Sequence, residues 1–224
     1  MSADPLTRPE SGPDSRHISG SSGVFVAFEG GEGVGKSTQI ARAASWLRTR
    51  GREVIETREP GGTALGQELR RLVLDPDGHV THRAEALLYA ADRAHHVETV
   101  IRPALAAGHV VLTDRYVDST LAYQGTGRGL SVDQARVITD WATGGLLPDL
   151  TVLLDLDPAT GLARAGARSR PDRLEGASLA FHEAVRASFL ALAAEDPGRY
   201  LVVDAARGED EIAEQITAAL AAFG

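Results

Sequence analysis

The chain has 224 residues, 43% hydrophobic and 24% charged, a balance that suits a globular fold and most simply a single domain. It contains no cysteine, which excludes disulfides, thiolate metal sites and thiol nucleophiles and fits a cytoplasmic protein, and no stretch approaches 18 consecutive apolar residues. A net charge of −8 argues against a general nucleic-acid binder, so phosphate must be handled locally by a few gathered cations.

Residues 1–21 are rich in Ser, Pro, Asp, Arg and Gly without an apolar run, and are predicted to be a disordered extension ahead of a domain over 22–224. Gly23 to Phe28 then reads as a buried strand, and Thr38 to Arg50 as a helix with Ile40, Ala44 and Leu47 near one face. Between them Gly30, four residues, and Gly35-Lys36-Ser37 form a phosphate-binding loop in its strand–loop–helix context. Glycines let successive N–H groups turn toward phosphate oxygens, and the helix N-terminus adds roughly half a positive charge. Gly30, Gly31, Glu32, Gly33, Val34, Gly35, Lys36, Ser37 and Thr38 are therefore the candidate nucleoside triphosphate site, with Lys36 reaching the terminal phosphates and Ser37 ligating magnesium. Lys36 is the only lysine in the chain, against 22 arginines. A compact ammonium is retained where a planar guanidinium would not serve.

Residues 53–58 alternate like a strand and stop at Glu59-Pro60-Gly61-Gly62, and Thr63 is a plausible cap for a helix through Val73. Thr81 opens the longest helical stretch, which Pro103 should kink and Gly108 end. Residues 109–114 form an apolar run closing on Asp114, as a buried parallel strand does. A helix from Ser131 to Gly144, a strand over 150–155, a helix from Pro158, a helix over 176–194, a strand over 200–204 and a helix over 209–222 complete the chain. Strands alternating with helices imply an α/β fold, a parallel sheet covered on both faces with ligands at the carboxyl ends of the strands. A GTP switch needs an Asn-Lys-x-Asp guanine reader, and the chain has no asparagine and no second lysine. No segment is left over for the coupling domains of a motor or transporter. A small kinase needs an acceptor pocket and a positively charged lid, and both have candidates.

Those candidates carry a resemblance. Glu29-Gly30-x-Glu32-Gly33-x-Gly35-Lys36-Ser37-Thr38, Arg58-Glu59-Pro60-Gly61-Gly62-Thr63, Ala90-Ala91-Asp92-Arg93, the run from Asp114-Arg115-Tyr116 to Tyr123-Gln124-Gly125, and Pro148-Asp149-Leu150 resemble thymidylate kinase in order and spacing, from Val24 to the end. The resemblance implies a nucleoside monophosphate kinase fold of the phosphate-loop class, with a five-stranded parallel sheet and a lid over about 164–176. It implies transfer of the ATP γ-phosphate to dTMP with magnesium, and a homodimer. On matching positions, Tyr89 stacks on thymine (Phe is commoner), Arg93 donates to its carbonyl edge, and Thr120 and Gln124 complete base reading. Tyr123 sits against the sugar C2′, Arg70 and Arg115 hold the acceptor phosphate or base edge, and Glu32 and Pro60 lie beside the acceptor. Asp114 supports the metal with Ser37. The family draws its catalytic arginine from the phosphate loop or from the lid. Gly33 stands at the loop position here, so Arg168, Arg170 and Arg173, with Arg164 one turn before, are the candidates.

Other positions have plainer readings. Arg42, Arg48, Arg50, Arg52, Arg136, Arg186 and Arg199 are expected on a solvated face, His95 and His96 at the surface or a dimer face, and Trp46 and Trp141 in packing. Asp118 reads as a cap, and Asp157-Pro158 as a helix start. The competing functions are a kinase for another pyrimidine monophosphate and an ATP-binding regulator without phosphoryl transfer.

Overall fold

The structure is a computed structural model that describes residues 23–125, 130–167 and 173–223. Five strands, β1 (Val24–Glu29), β2 (Val54–Arg58), β3 (Val110–Asp114), β4 (Leu150–Asp155) and β5 (Tyr200–Asp204), form one sheet in the order β2-β3-β1-β4-β5, every pairing parallel. Alternate residues of β1 serve the two faces. Val24, Val26 and Phe28 pack with α1 (Lys36–Arg48) and α9 (Glu209–Leu220), while Phe25 and Ala27 pack with Val97, Ile101 and Tyr116 on the other side. β1 lies centrally, and the chain leaves it first for β2 at one edge and later for β4 on the opposite flank. The switch point is therefore the crevice at the carboxyl ends of β1 and β3, where Phe28 pairs with Asp114 and Asp114 with Arg58.

The remaining helices are α2 (Ala64–Leu74), α3 (His82–His96), α4 (Arg102–Ala106), α5 (Val117–Tyr123), α6 (Val132–Thr143), α7 (Pro158–Gly166) and α8 (Leu179–Glu195). The Thr63 side chain caps α2 by accepting from Gly66 N, and Ser131 and Gln134 form a capping box on α6. Where a kink at Pro103 was expected, a π-helical turn, Val97–Ile101, joins α3 to α4. Pro103 has no N–H to continue the i→i−4 ladder, and Arg102 N donates five residues back to Val97 O. α5 was not anticipated, because Val117–Tyr123 carries no helical period: all seven of its residues are buried. Trp141 is 84% exposed, whereas Trp46 is half-buried under the Arg50 guanidinium, 3.7 Å from its ring centre. Among the described residues no helix is long and apolar enough to cross a membrane. The expected extension over 1–21 and the lid centre over 168–172 lie outside the described residues.

Candidate active site

The loop between β1 and α1 turns on glycines whose β-carbons the fold has no room for. A Cβ on Gly30 (φ 133°) would lie 2.4 Å from Leu154 O, and one on Gly33 (φ 65°) 2.0 Å from Gly161 O in the first turns of α7. Close approach of two backbones therefore fixes the loop. Lys36 Nζ is drawn back onto it, donating to Gly31 O at 2.8 Å and Gly30 O at 3.2 Å. Burial pushes the Lys36 ammonium down from its usual range, helped by Arg115 and opposed by Asp114, Glu32 and Glu29. Lys36, Ser37, Thr38, Gly33, Val34 and Gly35 line one wall of a cleft, and Asp114 lines another.

Arg115 follows β3 with a left-handed backbone (φ 69°) held by its N–H to Phe28 O at 2.9 Å. Its guanidinium donates to Glu32 Oε1 at 2.6 Å, Gly30 O at 3.0 Å and Ser119 Oγ at 3.1 Å, and lies over the Tyr123 ring at 5.0 Å. Tyr123 OH donates to the same Glu32 oxygen at 2.9 Å. Burial pushes the Glu32 carboxyl up, but Arg115 and then Lys36 outweigh it and bring it down to about 2. The base of this assembly is Glu29, at the end of β1, which accepts from Tyr116 N at 2.8 Å, Ser119 N at 3.1 Å and Ser119 Oγ at 2.6 Å. Burial first, and the nearby Asp118 second, push Glu29 up to about 7.

A second pocket opens beside the first. It gathers Glu32, Pro60, Arg70, Tyr89, Arg93 and Arg115 with Thr120, Tyr123 and Gln124, all nine residues expected at the acceptor. Arg93 is almost fully buried. It donates from Nε to Glu59 at 2.6 Å, from Nη1 to Thr120 Oγ1 at 2.8 Å and from Nη2 to Tyr116 O at 2.8 Å. Arg70 Nη1 donates to Pro60 O at 3.0 Å. Gln124 Nε2 donates to Glu85 Oε1 at 2.9 Å, and the Arg173 guanidinium donates to Glu85 Oε2 and to Val73 O. Arg173 thus sits on the acceptor-pocket side in this conformation, and Arg168 and Arg170 lie outside the described residues. Glu32, Glu59, Arg70, Arg115 and Glu175 line both cavities, so the phosphate-loop cleft opens directly onto the acceptor pocket.

Several roles escaped the sequence. His96 is fully buried, not superficial: Nδ1 lies 2.8 Å from Glu59 Oε1 and Nε2 2.7 Å from Thr57 Oγ1. Arg199, expected in solvent, reaches Asp118 at 3.3 Å and Thr151 Oγ1 at 3.0 Å, and Arg186 makes a bidentate pair with Asp155 at 2.6 and 2.8 Å. Glu59, Glu85, Asp92 and His96 had one available signal. With Tyr89 and Arg93 they extend a polar stripe along the buried face of α3 and the turn facing it.

Comparison with known proteins gives the same picture over most of the length. The family model described as Thymidylate kinase matches residues 28–216. A protein named "Thymidylate kinase" from Clavibacter michiganensis subsp. michiganensis is 60% identical over 195 residues, covering 87% of this chain and 92% of that one. Proteins of the same name from Deinococcus radiodurans and Desulfovibrio desulfuricans are 56% and 50% identical, covering 91% and 89% of this chain and 99% and 96% of their own lengths. With a phosphate loop at the switch point of a parallel sheet, an arginine-lined pocket beside it and identity of this extent, the chain belongs to the thymidylate kinase family.

Proposed function

We propose that the chain transfers the γ-phosphoryl group of ATP to the phosphate of dTMP, giving dTDP and ADP. The observation that carries this reading is the confluence of the two cavities through Glu32 and Arg115, where a donor phosphate in one and an acceptor phosphate in the other would share the same cations. The names of the relatives support the acceptor's identity. The loop amides and Lys36 hold the β- and γ-phosphates, Lys36 exchanging the carbonyls of Gly30 and Gly31 for phosphate oxygens. Arg115 and Arg70 hold the acceptor phosphate, Tyr89 stacks on the base, and Arg93 and Gln124 read its edge. Tyr123, pinned by Glu32, closes the space at the sugar.

Magnesium fits the same cleft. Asp114 Oδ1 is buried with no hydrogen-bond partner among the described residues, and Asp114 shares the cleft with Ser37, an oxygen donor set suited to a hard cation completed by phosphates and water. Bound there, the ion would neutralise charge on the phosphates. Arg168, Arg170 or Arg173 supplies the remaining positive charge on the transferring group. The homodimer belongs to this proposal too: α2, α3 and α6 lie side by side and expose Leu65, Leu72, Leu87, Val137 and Trp141, which a second copy would cover. A cytoplasmic location fits a chain without cysteine.

The test is ADP release from ATP and magnesium with dTMP, dUMP, UMP, dCMP or dGMP as acceptor. Turnover should be greatest with dTMP and should fall by about 10²-fold or more in Lys36→Ala and in Arg115→Ala. ATP binding without turnover on any acceptor would overturn the reading.

A further inference from the structure

Gln124 is an amide, and an amide side chain can present either of two opposite groups to a ligand. Its Nε2 is committed to Glu85 Oε1 at 2.9 Å, whereas its Oε1 takes no hydrogen bond from the described residues. The commitment is chemical as well as geometric. Glu85 is fully buried, and its other oxygen receives the Arg173 guanidinium, so both of its oxygens face donors and accept. A carboxylate at this distance from an amide forces the NH₂ toward itself and leaves the C=O for the pocket that Gln124 lines. On the neighbouring wall Arg93, held on three sides by Glu59, Thr120 and the Tyr116 carbonyl, can only donate. The pocket edge therefore reads donor, then acceptor.

We propose that Glu85 is a positioning residue that sets base specificity by holding the Gln124 amide with its oxygen toward the base. The inference rests on the functional reading above and deepens it. Thymine and uracil offer a C4 carbonyl beside an N3–H, which match a donor and an acceptor. Cytosine offers an exocyclic amine beside a bare N3, which opposes both. Rejection of cytosine is thus written in a residue that touches no part of the substrate. The cation that fixes Glu85 comes from Arg173, at the end of the arginine-rich segment, so the same contact joins that segment to the base wall.

The unmodified enzyme is measured first. dUMP and dCMP both lack the methyl group, so kcat/KM for dUMP should exceed that for dCMP by about a hundredfold or more. Equal values overturn the inference. Glu85→Gln is then measured. Arg173 claims the oxygen of the new amide, whose NH₂ turns toward position 124 and drives the Gln124 amide over. The dTMP to dCMP ratio of kcat/KM should fall at least tenfold, with KM for ATP unchanged. The double variant Glu85→Gln with Gln124→Glu restores an acceptor-only group facing the base, and the ratio should recover. A purely structural role would lower all acceptors together in the single variant and restore nothing in the double one, and that result overturns the inference. If Glu85→Gln does not fold, retention or loss of the ratio in the double variant decides. No turnover on dTMP by the unmodified enzyme would instead sink the functional reading, a distinct outcome.

Discussion

Among the described residues Arg115 alone, outside glycine, adopts a positive φ, and the geometry shows what the strained turn achieves. Its backbone returns to Phe28 on β1 while its side chain reaches Gly30 O, Ser119 Oγ and Glu32 together. A lysine keeps the charge but not the fork. Arg115→Lys should therefore leave the fold intact by circular dichroism while kcat/KM for dTMP falls by about 10²-fold or more. The two glutamates of this assembly, buried Glu29 and partly buried Glu32, are shifted in opposite directions. Glu29 is raised to about 7 from 4.5, so the folded state holds a proton that the unfolded chain has released, and its contribution is present below pH 4.5 and lost as pH rises through 7. Glu32 is lowered to about 2, so its contribution is present above pH 4.5 and lost as pH falls toward 2. Urea midpoints should thus decline less between pH 4.5 and 7 in Glu29→Gln than in the unmodified protein. The variant's amide can still accept from Tyr116 N and Ser119 N and donate to Ser119 Oγ.

α3 inverts the usual arrangement of a surface helix. Glu85, Tyr89, Asp92, Arg93 and His96 face inward, while Leu87 is 53% exposed. Glu85, Arg93 and His96 each have a partner of the right kind. Glu59 takes Arg93 and His96 on its two oxygens, and Asp92 Oδ1 accepts from Gly61 N at 3.2 Å. Gly62 is needed for the same reason, since a Cβ there would sit 2.6 Å from His96 Nε2. His96→Ala leaves Glu59 and Thr57 each short of a partner, and chemical denaturation should show a loss of about 2–4 kcal/mol. Here lies the limit of what the sequence made legible. Strands, their order of succession and the phosphate loop follow from apolar runs and glycine spacing, which are local. The acceptor residues followed from motif likeness. The partners beneath them did not: Glu85 and His96 look like ordinary polar positions on a long helix until the loop at 59–62 and helix α5 are folded against them. α5 itself, buried on every side, has no periodicity to betray it.

At the scale of the whole molecule, Leu65 and Leu72 of α2 and Leu87 of α3 are exposed among the described residues. If they are covered by a second copy, the protein sediments at twice the 23.6 kDa chain mass, and Leu72→Glu with Leu87→Glu shifts it toward one chain without lowering its melting temperature. A single monomer mass for the unmodified protein would remove the homodimer from the proposal. The packing of α7 on the phosphate loop imposes a different constraint. Gly33 in the loop and Gly161 in α7 meet backbone to backbone, each blocked by a carbonyl of the other segment: Gly161 O for the first, Glu32 O at 2.3 Å for the second. No side chain can enter position 33 while α7 stays where it is. An arginine there is out of reach of any single base change that preserves the fold, because the first methylene already collides. Under the proposed reaction, positive charge on the transferring group would therefore have to come from outside position 33.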